Sequence, residues 1–78
     1  MDFDQDIDAR SLLCPLPVLK ARKRLKSMDA GQVLKLTADD PAAVIDVPHF
    51  CNEQGYTLLD VELDGGQLRH YFIKIPLA

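Results

Sequence analysis

A four-stranded mixed sheet carrying two helices on one face, in the order βαβαββ, is the α/β fold that this 78-residue sequence predicts. Three observations predict it. Apolar and polar residues alternate in four separate stretches, as half-buried strands require. Two intervening stretches repeat their apolar residues at helical spacing instead. The last two alternating stretches are joined by Gly65-Gly66, a compact hairpin signal. Helices that cross over between strands of one sheet cannot interpenetrate, so both fall on the same side of it, and the other face is left to solvent or to a partner.

Residues 6–10 alternate and give the first strand, followed by a loop from Ser11 to Cys14. From Pro15 to Met28 the spacing is helical: Val18, Ala21, Leu25 and Met28 share one stripe, Lys20, Lys23, Arg24 and Ser27 the opposite one, and Ala30-Gly31 supplies the stop. Gln32 to Ala38 reads as the second strand, with Leu34, Leu36 and Ala38 on one side. Asp39-Asp40-Pro41 opens the second helix, an Asp to cap it and a Pro at its first position. Pro48 is expected to kink or divide that helix near Val47 before Gly55 ends it. Tyr56 to Asp64 is the third strand, with Leu59, Val61 and Leu63 inward, and Gln67 to Ile75 returns as the fourth.

The chain has room for one domain, 1–78, with residues 1–5 expected to be flexible. At 47% hydrophobic and 27% charged it is too apolar for a disordered segment. Two cysteines make at most one bridge, which excludes a disulfide scaffold. The acidic start, Met1 to Asp6, is the opposite of a signal peptide, and the charge-free run Ser11–Leu19 is too short to cross a bilayer. A reduced, cytoplasmic protein is expected.

Charge is segregated along the chain. Residues 1–8 hold four Asp and no base, residues 9–28 hold six bases and no acid, and residues 29–78 hold eight acids against three bases. The net charge of −3 and the absence of aromatics within the basic run argue against direct nucleic-acid binding. The basic helix is then either a solvated face or, through Lys20, Lys23 and Arg24, a docking surface for an acidic protein.

Cys14 is the candidate for chemistry. It precedes a helix, where the positive end of the helix dipole favours thiolate. Arg10, Lys20 and Arg24 add positive potential with no acid between residues 9 and 28. With Cys14 as N-cap, Pro15 fixes the first helical position, and Pro17 withholds an amide, leaving Leu16 N–H as the nearby donor to sulfur. A nucleophilic, ionised thiol is expected. Cys51 beside Phe50 reads as a core cysteine, His49 is out of phase with it for a metal pair, and His70 stands alone in a strand. No zinc spacing, phosphate loop or catalytic triad order is present, so one-cysteine chemistry without a metal or organic cofactor is expected.

The string Asp8-Ala9-Arg10, then Leu12-Leu13-Cys14-Pro15-Leu16-Pro17-Val18 and Lys20, resembles the TusA/SirA-like sulfur-carrier family, whose signature is Cys-Pro-x-Pro at the start of the first helix. Ala38-Asp39-Asp40-Pro41-Ala42 and Asp46-Val47-Pro48-His49-Phe50-Cys51 are similar to its second-helix region, and the resemblance covers about residues 6–75. It implies a two-layer sandwich and a persulfide relay. Cys14 would take a sulfane sulfur from a donor such as a cysteine desulfurase, carry it as Cys14–S–SH, and pass it to a downstream acceptor thiol, as in tRNA thiolation. Cys51 would not be the carrier. The family usually has Gly where Ser11 stands, which implies a positive φ or a close partner approach at that position. The competing function, from a different class, is a non-catalytic regulatory or binding module that uses the basic helix, with Cys14 as a redox switch.

Overall fold

The computed structural model describes residues 1–77. Its elements run β1 (Gln5–Asp8), α1 (Leu16–Lys26), β2 (Val33–Ala38), α2 (Ala43–Gln54), β3 (Thr57–Leu63) and β4 (Arg69–Lys74). The sheet order is β1-β2-β4-β3. β1 runs parallel to β2, and β4 is antiparallel to both β2 and β3. This is the mixed βαβαββ sheet that the alternation predicts.

One face of the sheet builds the core. Leu34, Leu36, Ala38, Tyr71 and Ile73 are buried there with Ile7, and they pack with Ala21, Leu25 and Met28 of the first helical segment and with Ala43, Val47, Phe50 and Cys51 of α2. Residues of both helices in one cluster with one sheet face make two layers. Of the expected apolar stripe of the first helix, Ala21, Leu25 and Met28 are buried and Val18 is half-buried against the core.

Several expectations need correction. α1 ends at Lys26, capped at Ser27, whose amide and hydroxyl both reach Arg24 O. Gly31 therefore does not close the helix. It turns the chain into β2 with φ 85° and donates to Ile75 O at 2.7 Å, and a Cβ there would meet the Leu77 side chain at 2.6 Å.

α2 passes through Pro48 undivided. The proline removes one hydrogen bond, to Val44 O, on a side where Val44 and Pro48 are exposed to solvent. Meanwhile Val47, Phe50 and Cys51 anchor both halves to the core. The helix also starts later than expected, at Ala43, after a turn in which Asp40 accepts from the amides of Ala42 and Ala43.

In β3 the inward residues are Leu58 and Val61, while Leu59 and Leu63 are exposed. A bulge between Leu58 and Asp60 inserts one residue and shifts the alternation, so that Val61 stays inward opposite Tyr71 while Leu59 falls out of phase. Leu63 keeps that phase but sits at the strand's uncovered end.

The opposite face is not bare. Phe3 lies against Phe72 with ring centroids 6.4 Å apart, and Lys35 Nζ stands 5.1 Å from the Phe3 ring. Asp4 exchanges bonds with Val33 through both its amide and its carboxylate. On that same face, away from the core cluster, His70 is not alone: its ring nitrogens bridge Thr37 Oγ1 at 2.8 Å and Asp64 Oδ2 at 2.9 Å, tying the β3–β4 turn to β2.

Candidate functional site

Because β1 and β2 are adjacent and parallel, the loops leaving their C-terminal ends meet at one end of the sheet. The first loop, residues 9–15, holds Cys14. The second, residues 39–42, holds Asp39 and Asp40 and leads into α2.

Contacts between the loops fix the geometry. Ser11 adopts φ 67°, the left-handed conformation that a glycine would favour, and its amide donates to Asp39 Oδ1 at 2.9 Å. The Cys14 amide donates to Asp40 Oδ2 at 2.6 Å. The Cys14 thiol donates to Asp46 Oδ2, also at 2.6 Å, from the first turn of α2. Cys14 itself is exposed. Beside it, Pro15 and Val18 of the first helical segment and Asp46, His49, Phe50 and Glu53 of α2 line a shallow apolar depression, with His49 paired to Glu53 at 2.9 Å.

The helix register differs by one residue from expectation. Pro15, not Cys14, is the N-cap, and Pro17 occupies the second helical position. Leu16 N–H, expected to face the sulfur, donates to Leu13 O at 2.8 Å. The sulfur's partner is a carboxylate instead.

That exchange reverses the expected electrostatics of Cys14. Its hydrogen bond to Asp46 is the chief cause of a raised thiol pKa, followed by partial desolvation and by the charges of Asp46 and Asp40. The bases expected to favour thiolate lie in other settings. Arg10 grips Asp8 through two parallel bonds of 2.9 Å, which holds the Asp8 carboxyl down at about 2. Lys20, Lys23 and Arg24 line a groove with Ile7 and Ser27 along the β1 edge, and Arg24 donates to Gln5 Oε1.

Cys51, by contrast, is buried in the core, and desolvation raises its thiol to about 11. Among the described residues, no group of three or more His, Cys, Asp or Glu comes together as a metal ion would need. No helix among them is long and apolar enough to cross a membrane.

Sequence reasoning located Cys14, Pro15 and Pro17 but missed Asp46 as a partner of the thiol. A signal was present: two loops following parallel neighbouring strands leave the sheet at the same end, so the DDPA stretch after β2 had to lie near the cysteine loop after β1.

Residues 5–75 match the family model described as sulfurtransferase TusA. The chain belongs to that family. Among curated relatives it is similar to the sulfur carrier protein TusA of Allochromatium vinosum, at 45% identity over 94% of this chain and 95% of that protein. It is 37% identical to the putative sulfur carrier protein YrkF of Bacillus subtilis, covering 87% of this chain but only 37% of that longer protein. In architecture this TusA-family chain superposes on a SirA-like protein from Desulfitobacterium hafniense with a TM-score of 0.83, at 23% identity and over 94% and 99% of the two chains.

Proposed function

We propose that this protein is a cytoplasmic sulfur carrier in which Cys14 accepts a sulfane sulfur as a persulfide and relays it to a second thiol. The observation that carries this is the placement of an exposed cysteine at the mouth of α1, in a chain 45% identical to a sulfur carrier over nearly its full length. A thiol that must be met by large protein partners belongs on a surface of this kind, and relay between thiols uses no metal or organic cofactor.

The transfer balances without external redox. Cys14 attacks the outer sulfur of a donor persulfide R–S–SH, the donor S–S bond breaks, R–SH is regenerated, and Cys14–S–SH carries the sulfur onward. A cysteine desulfurase is the donor class proposed, and the acceptor is another protein thiol in a route such as tRNA thiolation. Incubation of the reduced protein with a cysteine desulfurase and cysteine is expected to add one sulfur atom to the intact mass, removable by dithiothreitol. A folded protein that gains no sulfur under these conditions overturns the proposal.

A further inference from the structure

We propose that Asp46 is a positioning residue that sets the partner preference of Cys14, holding the thiol as a hydrogen-bond donor and making it react fastest with sulfur groups flanked by positive charge. The inference deepens the sulfur-carrier reading above by naming the chemistry that a donor or acceptor presents beside its own sulfur. It stands on geometry. The Cys14 thiol donates to Asp46 Oδ2 at 2.6 Å, and the Cys14 amide is tied to Asp40 Oδ2 at 2.6 Å. Sulfur and carboxylates are therefore held as one unit by bonds from the Cys14 loop to the β2–α2 turn and to the first turn of α2.

The carboxylates that act on this thiol are Asp46 of α2, its hydrogen-bond acceptor, and Asp40 of the β2–α2 turn, while Asp39 accepts from the Ser11 amide of the same loop, and His49 and Glu53, paired with each other, line the depression beside it. The first turn of α1 contributes no acid, and three of the helix's bases, Lys20, Lys23 and Arg24, line the β1 groove. A group approaching Cys14 therefore meets the carboxylates of Asp46 and Asp40, the reverse of what the basic run in the sequence suggests. The raised thiol pKa agrees with that arrangement. An incoming Lys or Arg would neutralise Asp46, release the thiol from its acceptor, and favour the thiolate at the moment of contact.

Thiol–disulfide exchange tests this with small probes and without any sulfur donor. The Cys14 thiolate attacks one sulfur of a symmetric disulfide R–S–S–R. That S–S bond breaks, Cys14–S–S–R forms, the other half leaves as thiolate, and the thiol proton passes to buffer. Cystamine is the cationic probe and dithiodiglycolate the anionic one, each normalised to its rate with free cysteine. At low salt the full chain is expected to favour cystamine by about tenfold, and the preference should shrink as ionic strength rises.

In Asp46→Asn the ratio should fall at least about threefold, while alkylation of Cys14 by uncharged iodoacetamide at pH 7 rises because the thiol loses its anionic acceptor. Asp46→Glu should recover most of the charge preference. Equal rates for the two probes, or a faster reaction with dithiodiglycolate, would overturn the proposal, as would an Asp46→Asn ratio matching the parent. Because no donor enzyme takes part, these outcomes are separable from a failure of the protein to accept sulfur.

Discussion

Cys14, at the mouth of α1, is exposed and shares its hydrogen with a carboxylate at 2.6 Å, whereas Cys51, on α2, is 2% exposed and packs into the cluster between helices and sheet. Both thiols have raised pKa values, for different reasons. For Cys51 the cause is loss of water. For Cys14 it is a hydrogen bond to Asp46, so a change of partner at the surface can undo it. The comparison teaches that reactivity here is set by what the fold brings to the sulfur from distant sequence, and only in part by the residues adjacent to it.

Serine substitution separates the two positions most strongly. Cys51→Ser puts a hydroxyl into an apolar site and is expected to cost about 1–3 kcal/mol of stability. Cys14→Ser touches no core contact and should leave chemical denaturation midpoints unchanged. A larger loss for Cys14→Ser would reverse the roles assigned to the two cysteines.

A second difference should be visible in alkaline solution. The Cys51 thiol has a folded pKa near 11, above the roughly 8.5 of an unfolded cysteine. The unfolded state therefore releases its proton first, and the stability this group contributes is present in full below about pH 8.5 and lost as pH rises toward 11. The drop in melting temperature across that range should be smaller in Cys51→Ala than in the parent. Identical slopes would mean that the Cys51 thiol titrates alike in both states.

The smallest effect concerns the loop that carries Cys14. Ser11 holds a φ of 67°, so Ser11→Gly relieves a conformation that costs a residue with a Cβ roughly 1 kcal/mol. A gain of about 0.5 kcal/mol is expected after the added freedom of the unfolded chain is counted. The hydrogen bond from its backbone N–H to the Asp39 carboxylate does not depend on the side chain, so Cys14 alkylation should be unaltered. A loss of stability would show that the Ser11 side chain matters to the loop.

Much of the architecture was legible because it rests on periodicity. The stripe of Val18, Ala21, Leu25 and Met28, and the alternation of Leu34, Leu36 and Ala38, each follow from one repeat, and the structure packs these residues into or against the core. The errors occurred where a local rule met a tertiary one. Pro48 is tolerated because both halves of α2 are anchored by buried side chains, and the alternation of β3 fails at a bulge that no single residue announces. At the site, the exposed cysteine at a helix start could be read from Cys14-Pro15-Leu16-Pro17. Its electrostatics could not be read from neighbours in sequence, since Asp40 and Asp46 reach it across more than twenty residues.

Locating the carried sulfur tests the central claim most directly. After transfer from a charged cysteine desulfurase, the protein is alkylated and digested with trypsin, which separates the cysteines into the peptides Ser11–Lys20 and Leu36–Arg69. The added sulfur is expected on Ser11–Lys20 alone. Its appearance on Leu36–Arg69, or on neither peptide, would contradict Cys14 as the carrier.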